Sequence, residues 1–226
     1  MKKIFMILLL VLVISGCNNK NDAIKFKEEY EALNGVENNG KIIRTISIDK
    51  DNPFIYKEAS DIVDMINDKE TFIVYFGFSK CPWCRSMIEK LIEVAKDYKV
   101  DTIYYVDVLD IRDTLKLDDN NEVITDKNGS KDYMKLIKLL DNVLSDYNLV
   151  DSEGNKVSTN EKRIYAPNVV SIVKGKATLL TEGISDSQED AYQDLTDEML
   201  DEEYDMLSKV MEEIMGSTAC STNSKC

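Results

Sequence analysis

The sequence predicts one α/β domain, and three neighbouring segments carry that prediction. Residues 71–78 (TFIVYFGF) form a continuous apolar run, which is typical of a parallel strand covered on both faces. Apolar positions then recur with helical spacing from Cys84 to Tyr98, and a second apolar strand follows at 102–108. A strand, a helix and a strand of these lengths form a βαβ unit, whose connection is normally right-handed.

Segments on either side of this unit extend the α/β pattern. Before it we predict a short amphipathic helix over 23–33, a strand over 43–48 and a helix with one apolar face, made of Ala59, Ile62, Val63 and Ile66. After it, residues 169–173 and 177–181 flank a Lys-Gly-Lys turn and predict an antiparallel hairpin. A last helix is predicted from the apolar stripe of Leu200, Tyr204, Leu207, Met211 and Ile214.

Composition excludes several classes of function. The formal net charge is −14, which argues against nucleic acid as a partner, because phosphate backbones attract clusters of Lys and Arg. The sequence has no histidine. This excludes Ser–His and Cys–His nucleophile pairs and every His-ligated metal site. Catalysis would have to use Cys, carboxylates, Lys, Tyr or a bound cofactor.

The N-terminus resembles a bacterial lipoprotein signal. Lys2 and Lys3 precede an uncharged apolar run at 4–14, which is too short to span a bilayer. The run ends in Ile14-Ser15-Gly16-Cys17, which resembles a lipobox. The resemblance implies a signal peptide at 1–16, lipid attached to Cys17 and the bilayer as a partner, with the protein on the extracytoplasmic face of the cell membrane. The alternative is an ordinary secretory signal in which Cys17 is incidental.

The rest of the chain divides by composition. Residues 17–41 are predicted to be a tether with a short helix, and the globular domain is expected at 42–215. Residues 216–226, rich in Ser, Thr and Asn, are predicted to be a mobile tail that carries Cys220 and Cys226.

The sequence Cys81-Pro82-Trp83-Cys84 lies where the first apolar strand ends and the helix begins. Unpaired N–H groups and the positive end of the helix dipole stabilise an anion at this position, so a thiolate there has a lowered pKa. We therefore expect Cys81 to be exposed and nucleophilic. Cys84, one turn further, is expected to be shielded and to resolve a mixed disulfide.

Residues 76–85 (FGFSKCPWCR) resemble the active site of the thioredoxin superfamily. The resemblance covers about 42–215 and implies a central mixed sheet flanked by helices. It also implies a cis-proline loop facing the cysteines, which Tyr165-Ala166-Pro167-Asn168 matches, and a substrate groove formed by Pro167, Ala166, Trp83 and Pro82. Cys81 and Pro167 lie 86 residues apart, far more than in a minimal thioredoxin, so the resemblance implies a helical insertion at about 115–163. Such insertions occur in bacterial thioredoxin-like lipoproteins, including those that resemble bacteriocin-transport accessory proteins. Tyr75 is a departure: it stands where family members often bury a carboxylate that assists proton transfer from the second thiol.

The resemblance implies a membrane-anchored thiol–disulfide oxidoreductase that acts on exported proteins. Cys81 attacks, Cys84 resolves, and neither a metal nor an organic cofactor is required. A membrane or extracytoplasmic electron donor or acceptor would return Cys81 and Cys84 to their starting redox state. Oxidase, reductase and isomerase remain open, because they share this scaffold.

Other interpretations of the cysteines remain open at this point. Cys81 and Cys84 could form a structural disulfide, or half of a zinc site completed by Cys220 and Cys226. The whole domain could be a non-catalytic binding or transport-accessory module with the same fold. Trp83 could belong to the core. Cys220 and Cys226 are predicted to form a second disulfide, with two free tail thiols as the alternative.

Overall fold

The protein has a mixed α/β structure in the computed structural model, which describes residues 16–38 and 40–222. The helices within these residues are α1 (Gly16–Glu31), α2 (Ala59–Asn67), α3 (Pro82–Asp97), α4 (Lys131–Leu139) and α5 (Asp197–Thr222). The strands are β1 (Glu37–Asn38), β2 (Lys41–Ile42), β3 (Phe54–Tyr56), β4 (Phe72–Gly77), β5 (Ile103–Asp107), β6 (Thr114–Leu117), β7 (Val123–Lys127), β8 (Ser145–Val150), β9 (Lys156–Arg163), β10 (Asn168–Val173) and β11 (Lys176–Thr181).

A five-stranded mixed sheet organises the domain, with the strand order β11-β10-β4-β5-β3. β3 and β4 both run parallel to β5, so β4, α3 and β5 form the predicted βαβ unit. β10 runs antiparallel to β4 and to β11, and the β10–β11 pair is the predicted hairpin. The predicted α/β class and these elements of it are confirmed.

The central strand β4 is buried on both faces, as its apolar run predicts. Successive side chains of a strand point to opposite faces, so Ile73 and Tyr75 share one face and Val74 and Phe76 share the other. The Tyr75 face packs with α1, α3 and α5 in one core. The opposite face packs with α2 and α4 in a second core. This parity places the side chain of Tyr75 on the same face of the sheet as α3.

The N-terminal helix belongs to the first core. Phe26 and Tyr30 of α1 are completely buried there, so the segment predicted as a tether with a short helix contributes core residues. The strand predicted over 43–48 is wrong. Its alternate residues Ile46 and Ile48 are buried, but the segment pairs with no strand of the central sheet, and β3 takes the edge position beside β5. The alternate apolar residues of this segment are therefore buried although the segment does not join the sheet.

The predicted helical insertion at 115–163 is also wrong. Two antiparallel hairpins, β6–β7 and β8–β9, flank a single helix, α4. The exposure of β9 alternates over much of its length, as expected of a strand with one face toward solvent. Gly154, in the β8–β9 turn, has a φ of +87°, which glycine adopts at little cost.

The last helix extends past the predicted end of the domain. α5 continues through Gly216 to Thr222, so the first part of the predicted tail is helical, and residues 223–226 lie outside the described part. Among the helices of residues 16–38 and 40–222, none is both long enough and apolar enough to cross a membrane.

Glu203 of α5 is buried in an unusual environment. Its side chain is completely buried, and neither carboxylate oxygen has a hydrogen-bond partner. Burial raises the pKa of Glu203 to about 7, although the positive charges of Lys90 and Arg44 act in the opposite direction. A buried charge without a hydrogen bond is costly, so the ionised form of this carboxyl destabilises the folded protein.

We expect Glu203→Gln to stabilise the protein at pH 8 by about 1–3 kcal/mol. The amide of Gln stays neutral at this pH, so the variant avoids the cost of burying a carboxylate charge. The folded-state pKa lies above the ordinary value of 4.5, so the penalty is absent below about pH 4.5 and complete above about pH 7. Urea unfolding from pH 4 to 8 measures it. Exposed Glu213→Gln is the matched control. A gain that does not vary with pH would contradict this account.

Candidate active site

Cys81 and Cys84 lie at the junction of β4 and α3. Cys81 is the N-cap of α3, with extended backbone angles, and Pro82 occupies the first helical turn. Proline suits this position because its missing N–H would have no helical partner there, and its fixed φ matches the helix. The Cys81 N–H donates to the Phe78 carbonyl at 3.0 Å, which closes the turn between strand and helix.

The Cys81 sulfur takes the place of a capping oxygen. The backbone N–H of Cys84 donates to it at 3.2 Å, which satisfies one of the free N–H groups at the helix start. The Cys81 thiol in turn faces the Ala166 carbonyl oxygen at 3.2 Å. The predicted exposure of Cys81 is wrong: the residue is only 4% exposed, because the loop before β10 approaches its sulfur.

The two thiols differ in how readily they ionise. The pKa of Cys81 is lowered, first by a hydrogen bond from the Cys84 side chain, then by the N–H groups of Cys84 and Trp83 and the positive charge of Arg112. Burial opposes these effects. The pKa of Cys84 is raised, mainly by complete burial and then by its interaction with Cys81. Cys81 is therefore the thiol that ionises first, and Cys84 retains the proton.

The loop of Ala166 and Pro167 faces the cysteines as predicted. The Ala166–Pro167 peptide bond is cis. The Asn168 side chain accepts a hydrogen bond from the Tyr165 N–H at 2.8 Å, which closes the loop. In the sheet, Asn168 pairs with Phe76 near the end of β4, and this register brings the loop beside Cys81.

A groove of about 400 Å³ runs beside this loop. Trp83, Ala166 and Pro167 line it, together with the acidic side chains of Glu182 and Asp186. Trp83 is half-buried and packs against the first core, and its predicted contact with substrate stays a prediction. Pro82 is half-buried beside it at the start of α3.

All three nitrogen atoms of the Arg85 guanidinium donate hydrogen bonds within the domain. Its guanidinium is buried and donates to the carbonyl oxygens of Tyr30, Arg44 and Ser79 and to the Asn34 side chain, at 2.6–3.3 Å. These bonds connect α1 and the segment around Arg44 to the loop before Cys81. The positive charge that lowers the pKa of Cys81 comes instead from Arg112, which lies over the Phe78 ring at 4.9 Å.

Two tyrosines from different elements meet in the core that also contains the two cysteines. Tyr75 of β4 and Tyr30 of α1 are both completely buried, and their hydroxyl oxygens lie 3.0 Å apart. Both tyrosines belong to the same buried core as Cys84. The sequence shows Tyr75 as a departure from the family pattern. No local sequence pattern indicates that Tyr30 and Arg112 lie near the cysteines, because only the fold brings them there.

The structure describes the remaining cysteines in part. The backbone of Cys17 lies in α1, and that of Cys220 lies in the last turns of α5. Cys226 lies outside the described residues. Cys81 and Cys84 are both free thiols. The disulfide between Cys220 and Cys226 stays a prediction.

Comparison with known proteins adds one match, at the N-terminus. Residues 1–18 match the model of the prokaryotic membrane lipoprotein lipid attachment site, and Cys17 falls within the matched segment. A comparison with curated proteins gives no match. The match confirms the prediction of a lipid-anchored lipoprotein at the cell membrane.

Proposed function

We propose that this lipoprotein has a thioredoxin-like fold and exchanges thiols and disulfides with exported proteins through Cys81 and Cys84. The observation that carries the proposal is the environment of the Cys81 sulfur. It caps α3, receives the Cys84 N–H at 3.2 Å and lies 3.2 Å from the Ala166 carbonyl. A sulfur stabilised as an anion close to an open groove of about 400 Å³ suits attack on a substrate disulfide.

The sheet supports the proposed fold. The family's central mixed sheet flanked by helices corresponds to the order β11-β10-β4-β5-β3, with α1, α3 and α5 on one face and α2 and α4 on the other. The loop of Ala166 and Pro167 precedes an antiparallel pair of strands, as the resemblance implies.

The proposed chemistry uses two electrons and no further reactant. The Cys81 thiolate attacks one sulfur of a substrate disulfide, and the other substrate sulfur leaves as a thiolate that takes up a proton. Cys84 then attacks the Cys81 sulfur, the remaining substrate thiol departs, and a Cys81–Cys84 disulfide forms. The substrate disulfide is reduced and the dithiol is oxidised. The reverse sequence oxidises a substrate dithiol, and an extracytoplasmic or membrane partner restores the pair in either case.

The proposal is tested by equilibrating the detergent-purified protein with a glutathione series. The Cys220→Ser/Cys226→Ser double variant serves as the matched form without tail thiols. We expect the Cys81–Cys84 pair to interconvert between dithiol and disulfide, as read by the mass of the alkylated peptide. A pair that remains in one state across the series would favour the non-catalytic binding module.

A further inference from the structure

A pocket at the amino ends of the parallel strands takes no part in the proposed chemistry. Its volume is about 530 Å³, and its wall is formed by α1, the segment before β3 and the end of α3 with the residues that follow it. Four exposed lysines line it: Lys20, Lys50, Lys96 and Lys99. Within residues 16–38 and 40–222, none of these four makes an ion pair.

The charge of this pocket differs from that of the whole protein. Its other charged residues are Asp49, Asp51 and Asp101, so four lysines stand against three aspartates. Removal of the signal peptide takes away two of the 28 basic side chains, Lys2 and Lys3, and none of the 42 acidic ones, which leaves a formal net charge of −16. The pocket is therefore a locally positive site on a strongly acidic protein.

Helix α1 connects the pocket to the lipid-anchored end of the chain. The helix begins at Gly16, and Lys20 follows Cys17 by three residues, which is a rise of about 4.5 Å along a helix. The start of α1 is fixed to the pocket wall, because the buried Asn52 side chain donates to the Ala23 carbonyl oxygen at 2.8 Å. Lipid on Cys17 holds this end of α1 at the bilayer, so the pocket lies at the membrane surface.

The two cysteines lie at the opposite end of the domain. Cys81 follows the carboxyl end of β4, whereas Asp101 of the pocket precedes the amino end of β5, which runs parallel to β4. Helix α3 leads from Cys81 at its N-cap to Lys96 in its last turn, and its 16 residues span about 24 Å. The direction of the strands and the direction of the helix therefore both separate the pocket from the cysteines.

We propose that the pocket lined by Lys20, Lys50, Lys96 and Lys99 rests on the bilayer and binds the phosphate groups of anionic lipids. Each lysine near an anionic surface strengthens binding by roughly fivefold, and the attraction extends over about 8–10 Å. The lipid on Cys17 supplies attachment and the lysines supply orientation, which holds the cysteines about 24 Å from the bilayer, toward the aqueous side. This inference goes beyond the proposed function and does not depend on it.

Lysine modification of the full-length acylated protein tests the proposal. The protein is added to preformed vesicles, either of phosphatidylcholine alone or of phosphatidylcholine and phosphatidylglycerol in equal parts, and brief acetylation of each lysine is read by peptide mass. We expect Lys99 to react about threefold to fivefold more slowly on the anionic vesicles. Lys80, which is exposed beside Cys81, should react equally on both. Lys20 is not a readout, because it lies so close to the anchor that either membrane shields it.

A charge-reversal variant sharpens the readout. Lys50→Glu/Lys96→Glu should return the reaction rate of Lys99 on anionic vesicles to the rate on phosphatidylcholine, and salt at about 1 M should do the same for the wild-type protein. Lys131→Glu/Lys156→Glu is the matched control, because it makes the same change in net charge on α4 and β9, outside the pocket. It should leave the protection of Lys99 unchanged. All four replaced lysines are exposed, so both variants are expected to fold.

The outcomes separate this inference from the proposed function. Equal modification of Lys99 on the two kinds of vesicle would overturn the inference, and so would protection of Lys80 that matches that of Lys99. Inorganic phosphate that protects Lys99 on phosphatidylcholine vesicles as well as anionic lipid does would assign the pocket to a soluble anion and would also overturn it. None of these results bears on exchange by Cys81 and Cys84, which the glutathione series tests separately.

Discussion

Cys84→Ser is expected to accumulate covalent complexes with exported proteins, whereas Cys81→Ser is expected to form none and to lose exchange completely. Cys81 has the lowered pKa, and its sulfur lies 3.2 Å from the carbonyl oxygen of Ala166, which lines the groove, so we expect it to make the first bond. Cys84 is completely buried, so we expect a substrate disulfide not to reach its sulfur directly. Without its sulfur, the mixed disulfide on Cys81 has no internal attacker and persists.

Membrane extracts from cells that express each variant would be separated without reductant, and the complexes identified by mass spectrometry. The Cys220→Ser/Cys226→Ser variant is the control and should behave as the wild-type protein. Complexes formed by Cys81→Ser but not by Cys84→Ser would reverse the assigned roles. Complexes that disappear when the tail cysteines are replaced would assign the first attack to the tail.

The same pair should show a characteristic pH dependence. Because the pKa of Cys81 is lowered, its thiolate should persist to lower pH than that of an ordinary cysteine. Because burial raises the pKa of Cys84, that thiol should resist alkylation over the same range. Alkylation of the reduced protein against pH, read by peptide mass, measures both. Two thiols that react with one common profile would contradict the division of roles.

The parts of the fold that could be predicted from the sequence are those that bury long periodic segments. The run at 71–78 and the helical spacing from Cys84 predict β4 and α3 because both elements are covered by core on a whole face. β3 could not be predicted in the same way. It has three residues and is defined by its pairing with β5, which no local pattern reports.

The functional site also combines features that the sequence predicts with features that depend on the fold. The N-cap position of Cys81 and the shielding of Cys84 follow from one local motif, and the resemblance to a known family predicts the Pro167 loop beside them. The low exposure of Cys81 could not be predicted, because it depends on how closely the Ala166 carbonyl approaches the sulfur. The contact between the Tyr30 and Tyr75 hydroxyls could not be predicted either, because it requires α1 to dock on the sheet.

Docking of α1 can be measured directly through Phe26. This ring is completely buried, stacks on Phe54 with centres 4.0 Å apart and on Tyr30 at 4.3 Å, and meets Tyr105 edge-on at 4.9 Å. Replacing a buried Phe by Ala removes these contacts and leaves a cavity. We expect Phe26→Ala to lower the free energy of unfolding by about 3–5 kcal/mol.

Urea unfolding of the full-length protein in detergent, followed by the fluorescence of Trp83, measures this loss, since the sequence has one tryptophan. The matched control is Ile24→Ala on the same helix, where the side chain is 42% exposed and the change should stay within about 0.5 kcal/mol. Equal unfolding midpoints for Phe26→Ala and the wild-type protein would contradict the docking of α1. Docking of α1 makes the segment that follows the lipid attachment site part of the domain core, and it holds the Tyr30 hydroxyl beside that of Tyr75.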